Sequence, residues 1–162
     1  MKLFHGSTLA IEQPIILNSQ RLLDFGNGFY TTSSKTQAEN WALIKQKRIG
    51  ENIKAIVSVY KITDDLINIK DLTIKVFDKA TVEWLDFIVA NRNGTITHSY
   101  DIVKGVVAND TLYATILLYE NGVLSKKETI VRLKTHRLFD QISFHNQRAL
   151  QELEFVESYE VK

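Results

Sequence analysis

The feature that most constrains this chain is an abrupt change of hydrophobic period. Ser34 followed three residues later by Gln37 has the form of a helix capping box, and the helix it would start runs through Trp41 and Ile44 to a stop at Gly50. The pattern then turns to alternation over Ile53 to Ile62, with Ile56, Ser58 and Tyr60 set against Val57, Val59 and Lys61. A helical period beside a strand period requires a sheet with helices packed on it.

The rest of the chain reads the same way. Lys2 to His5 is a short strand closed by the turn-forming pair Gly6-Ser7, and an irregular stretch follows around Pro14 and the polar cluster Asn18 to Arg21. Phe29 to Thr32 suits a strand, as does Leu66 to Ile69. Asp78 is placed to cap a second helix with Val82, Leu85 and Val89 on one face, stopping near Gly94. Asp101 to Ala108 reads as an extended buried segment. Asp110 then caps a third helix ending at Gly122, and the Ser125–Glu128 capping box starts a fourth towards Leu133. Gln141 to Phe144 is a short strand, Ala149 to Leu153 a helical turn or two, and Phe155 to Val161 a closing strand. Trp41 and Trp84, both at helical positions, are expected as core anchors.

Composition narrows the function classes. The chain has 162 residues, 44% of them hydrophobic and 24% charged, with one proline and no internal repeat, which is the profile of a single α+β domain over 1–162. A formal net charge of +1 gives no support for nucleic-acid binding by bulk charge. With no cysteine there is no disulfide, thiolate chemistry or cysteine-ligated metal, which fits a reducing cytoplasm. Met1 to Gly6 lacks the apolar run of a secretory signal, and no stretch is long and apolar enough to span a membrane. His98, His136 and His145 have no ligand-like spacing, so no metal is expected.

Two segments carry candidate chemistry. In Phe4-His5-Gly6-Ser7, His5 offers a donor and an acceptor at a strand end, and Gly6 leaves its N–H and C=O open to a flat amide. Alone this is better read as a structural histidine. In Asp24-Phe25-Gly26-Asn27-Gly28-Phe29-Tyr30-Thr31-Thr32, two glycines allow a tight turn and a close approach to a ligand, and Tyr30 is placed to stack on a planar group. It is neither a phosphate loop nor a dinucleotide fingerprint, because no Gly-Lys-Ser/Thr follows and the GxGxxG spacing is missing. Asn91-Arg92-Asn93-Gly94 reads as a helix end, with Arg92 alternatively holding a phosphate. Lys45-Gln46-Lys47-Arg48 reads as a solvated helix end.

Together these two segments resemble the ADP-ribosyltransferase superfamily and, more narrowly, an uncharacterised bacterial domain family within it. The likeness continues in Trp84 to Arg92, Tyr100 to Asp110, and Gln141-Ile142-Ser143-Phe144-His145 before Ala149-Leu150. The resemblance implies split, twisted β-sheets with helices packed around them, and NAD as co-substrate without a metal. It implies that His5 bonds the adenosine ribose, that the Gly6 backbone holds the nicotinamide amide and that Tyr30 stacks on the nicotinamide ring. Ser7, Gly28, Phe29 and Thr31 would line the same cofactor site, with Arg92 on the pyrophosphate. Breaking the nicotinamide–ribose bond develops an oxocarbenium-like cation, so positioning and charge stabilisation dominate.

The third position of that pattern, usually glutamate, matches Gln141. A glutamine carbonyl accepts a hydrogen bond from a ribose hydroxyl but supplies no negative charge, and losing such a group costs about 10²–10³ in rate at comparable sites. Three courses stay open: slow transfer of a single ADP-ribose, a carboxylate borrowed from Asp140 or Asp110, or NAD binding without turnover. Strand alternation turns Asp140 away from Gln141, and Asp110 serves equally well as a helix cap. The leading expectation is therefore a mono-ADP-ribosyltransferase modifying a protein or nucleic-acid acceptor, in the manner of a bacterial toxin or effector beside a cognate antitoxin. The alternative is a catalytically silent NAD- or ligand-binding module working through a protein partner. A nucleic-acid acceptor would require the Lys45 to Arg48 helix end to lie beside the NAD cleft.

Overall fold

The computed structural model of the chain describes every residue except 18–22, 51, 96–97, 108–109 and 134–138. Its strands form two separate sheets. The first has the order β1–β3–β7, built from β1 (Lys2–Ser7), β3 (Ile56–Lys61) and β7 (Glu154–Glu160), all antiparallel. The second has the order β2–β6–β5–β4, built from β2 (Phe29–Thr31), β6 (Phe139–Phe144), β5 (Ile102–Val107) and β4 (Ile74–Phe77), with only β4 and β5 parallel. Among the described residues an isolated backbone bridge links the sheets, where Phe4 N–H donates to Thr32 O at 2.8 Å and Thr32 N–H to Phe4 O at 3.0 Å. The chain is α+β, as expected.

Helices close the layers. α1 (Lys35–Ile49) starts at Ser34, whose hydroxyl accepts from Gln37 N–H as the capping motif requires, and ends at Gly50. Such a cap contributes about 1 kcal/mol. The Gln37 side chain does not return to the cap; its Oε1 lies 2.9 Å from the Thr32 hydroxyl oxygen instead. α1 lies on β1 and β3, where Ala38 and Ala42 meet Val57 and Val59. Small residues one helical turn apart let backbone meet backbone, and Gly6 completes the fit: a Cβ there would lie 2.1 Å from Ala38 O. Gly6 and Ser7 therefore belong to β1 and form no turn; glycine is needed for close packing.

α2 (Val82–Arg92), α3 (Asp110–Glu120) and α4 (Lys126–Leu133) cover one face of the second sheet around Phe25, Trp84, Leu85, Ile88, Ile116 and Leu133. A short α5 (Gln147–Leu150) follows β6. The Ser125–Glu128 capping box before α4 forms in full. α2, however, is capped by Thr81, whose hydroxyl accepts from Trp84 N–H, and not by Asp78. Its inward face is Trp84, Leu85, Ile88 and Asn91, which leaves Val82 exposed. The start of α3 falls beside residues outside the description, and so does the expected cap role of Asp110. Between the sheets, Leu3, Phe29, Tyr60, Ile102, Ile142 and Phe144 form a second core.

Further expectations change. Leu66–Asn68 is a 3₁₀ turn, not a strand, because the Asp65 carboxylate folds back onto Asn68 Nδ2 at 2.9 Å and only Leu66 is buried. Ile74–Phe77 forms β4, whose place is set by parallel pairing with β5 and not by local alternation. Trp84 is fully buried and donates to Val106 O at 3.0 Å, whereas Trp41 stands 39% exposed and anchors no core. Among the described residues no helix is long and apolar enough to cross a membrane.

Candidate functional site

The bridge between the sheets sets His5 beside the backbone of Tyr30, 25 residues away in sequence. His5 Nδ1 lies 2.6 Å from Tyr30 O, and since a carbonyl only accepts, Nδ1 carries the hydrogen. Burial, with the Lys45 ammonium nearby, pushes the imidazole down to about 4, although the Tyr30 bond pulls the other way. At neutral pH His5 is thus uncharged, with its tautomer fixed and an acceptor lone pair on Nε2. Its ring stacks on Phe29 with centroids 4.5 Å apart, on the face between the sheets.

Tyr30 points to the other face of the second sheet. Its hydroxyl donates to Gly26 O at 2.5 Å and accepts from Phe25 N–H at 3.2 Å, while its ring stacks on Phe25 and meets His145 edge-on. Burial first, and the Asp24 carboxylate after it, push the phenol well above its ordinary value, so it acts only as a neutral hydroxyl.

The glycine segment between them is braced at each step. Arg92 Nε pairs with Asp24 Oδ1 at 2.7 Å, His98 Nε2–H donates to Phe25 O at 2.7 Å, and His145 Nδ1–H donates to Asn27 O at 2.7 Å. Gly26 sits at φ +83°, which favours glycine, whereas Gly28 needs only space: a Cβ there would meet Phe144 O at 2.8 Å. His98 and His145, unremarkable by spacing, come together with ring centroids 4.6 Å apart as the scaffold of this loop. Burial pushes His145 down to about 4, so it too is neutral. His136 lies outside the described residues. Arg92 is committed to Asp24, and the pair is largely buried.

Lys45 differs from the expected solvated helix end. Lys47 and Arg48 are exposed, but Lys45 turns inward and its Nζ donates to Gly6 O at 2.8 Å. Burial lowers the amine to about 8. Because Phe4 exchanges both its backbone bonds with Thr32, alternation directs the Gly6 N–H and C=O to that same side of β1, away from β3. Of this helix end, Lys45 therefore lies beside the strand that carries His5. Ser7 follows on the same strand, half-buried and paired with Ile56. Thr31 is buried, its hydroxyl donating to Ile142 O at 3.0 Å.

The start of β6 brings in the third segment. Ser143 pairs with Tyr30 and Gln141 with Gly105, where a Cβ would strike Phe25 Cζ at 2.7 Å. Gln141 thus shares the Tyr30 face. Asp140 shares the face of Ile142, which lies in the core with Phe29. Its Oδ1 accepts from the Thr32 hydroxyl at 3.0 Å, from Ser33 N–H at 3.0 Å and from the Ser33 hydroxyl at 2.9 Å. Asp140 also lines an open groove of about 430 Å³ with Ser33, Ser34, Asp78 and Lys104; His5 and Tyr30 do not reach it. His5, Phe29 and Asp140 therefore fall on one side of the second sheet and Tyr30 and Gln141 on the other.

Neither a curated protein nor a solved structure matches the chain. Residues 1–155 match the family model described as a protein of unknown function (DUF3990), and the chain belongs to that family.

Proposed function

We propose that this protein binds NAD at the β1–β2 junction and acts as a mono-ADP-ribosyltransferase on a macromolecular acceptor. The observation that carries the reading is His5: a neutral imidazole, its Nδ1–H locked to Tyr30 O, with an Nε2 lone pair suited to accept from a ribose hydroxyl. The β1–β2 bridge and the Thr32–Asp140 bond gather three remote segments at this junction, in keeping with the two split sheets of an ADP-ribosyltransferase-like fold. The Gly6 backbone faces away from β3, as a carboxamide partner must.

In this reading the nicotinamide–ribose bond breaks, an acceptor nucleophile bonds the anomeric carbon, and the acceptor's proton passes to solvent or to a carboxylate. The carboxylate on the His5 side is Asp140; Gln141 offers only its amide. That amide favours a second reading, the silent NAD-binding module acting through a protein partner. A toxin or effector role in the cytoplasm, restrained by an antitoxin, rests on the sequence resemblance alone.

Incubation with adenylate-labelled NAD and total cell extract, with and without nuclease, separates these readings. Label transfer abolished by His5→Ala supports the transferase, and its nuclease sensitivity names the acceptor class. Binding without transfer under every acceptor supports the silent module, and absence of both overturns the two readings together.

A further inference from the structure

The cations Arg92 and Lys45 differ in what they already hold. Arg92 is ion-paired with Asp24 at 2.7 Å in a largely buried pair. Lys45 is half-buried, yet its hydrogen bond goes to a neutral carbonyl, Gly6 O, and among the described residues no carboxylate pairs with it. A half-buried ammonium held by one neutral acceptor, with the Trp41 ring centroid 6.0 Å from its Nζ, keeps two donors and its charge for something else. What it faces is the strand that carries His5, Gly6 and Ser7, and His5 is neutral and brings no counter-charge. Lys45 also occupies the carbonyl that a nicotinamide carboxamide would need under the reading above.

We propose that Lys45 is the anion-holding group of a diphosphate subsite beside His5, exchanging its bond to the Gly6 carbonyl for a phosphate oxygen when a nucleoside diphosphate binds. The inference rests on the NAD reading for the identity of the ligand, but its chemistry is that of any nucleoside diphosphate. The exchange frees the Gly6 carbonyl as the phosphates arrive, so one lysine couples occupation of the phosphate subsite to opening of the carboxamide subsite. Gly6 N–H lies on the same side of β1.

Calorimetric titration of NAD, ADP, inorganic pyrophosphate and adenosine into the wild type, Lys45→Gln and the exposed control Lys47→Gln tests this. The expected result is an affinity for NAD, ADP and pyrophosphate that falls about tenfold or more in Lys45→Gln, with adenosine unchanged and Lys47→Gln like wild type. Binding of ADP through Lys45 without binding of NAD keeps the subsite and overturns the NAD reading. NAD affinity unaffected by Lys45→Gln keeps the NAD reading and overturns the subsite, as does a wild type that binds neither ADP nor pyrophosphate. A second measurement needs no variant: in the wild type, the Lys45 Cε resonance shifts on addition of pyrophosphate, and a stationary resonance overturns the proposal.

Discussion

His5 donates its Nδ1–H to the Tyr30 carbonyl at 2.6 Å, so the two residues meet through backbone while their rings occupy opposite faces of a sheet. The hydrogen bond joins the two sheets at the bridge and sets the protonation state of the imidazole.

That state makes stability pH-dependent. His5 and His145 are both pushed down to about 4 in the fold, while an unfolded histidine titrates at 6.5. Between those values the unfolded chain binds more protons, so stability is complete above 6.5 and declines as pH falls towards 4, by at most about 1.4 kcal/mol per pH unit for each histidine. Urea melts across this range check the slope, and His145→Gln removes its share.

Asp101 governs the next interval down. Burial alone would raise its carboxyl, but bonds from Thr73 N–H at 2.6 Å, from Asn146 and from Arg148 at 2.8 Å hold it well below the ordinary value. Its stabilisation is present above the unfolded value and is lost as pH falls through that value towards the folded one. Asp101→Ala, which strands these donors, costs about 4 kcal/mol at neutral pH and flattens the acid limb of the stability curve.

Gly6→Ala drives a methyl group into the α1 backbone, 2.1 Å from Ala38 O, and costs about 3 kcal/mol. Gly122 has open space but φ +72°, so Gly122→Ala costs only about 1 kcal/mol. Denaturation of the two variants side by side separates close packing from backbone conformation.

Tyr30→Phe loses both hydroxyl bonds to the Phe25–Gly26 turn, worth about 2 kcal/mol together, and lowers the melting temperature by about 6 °C. It leaves the ring contacts with Phe25 and His145 in place, and NAD affinity stays within about threefold of wild type, as binding measured by calorimetry checks.

Much of the fold is written locally. Ser34 and Ser125 announce their helices because a hydroxyl followed by Gln or Glu three residues on answers orphan N–H groups wherever the chain goes. Elements fixed by distant partners were not legible. β4 is anchored through the Asp101–Thr73 bonds, and Asp78 loses the cap to Thr81, which sits one residue before the α2 helix. The site divides in the same way. His5 and Tyr30 stand out as residues, but their juxtaposition depends on the bridge between sheets. The facing of Asp140 and Gln141 depends on register, where a shift of one residue exchanges the faces. Lys45 gave no signal, because a lysine near a helix end is ordinarily solvated.

The central claim is that His5 marks an NAD site, and titrating NAD into the wild type and His5→Gln while following backbone amide shifts tests it most directly. The account predicts saturable binding with the largest shifts at Gly6, Tyr30 and Thr31, and at least about tenfold weaker binding in a folded His5→Gln. No saturable binding, or equal affinity in the two proteins, would contradict it.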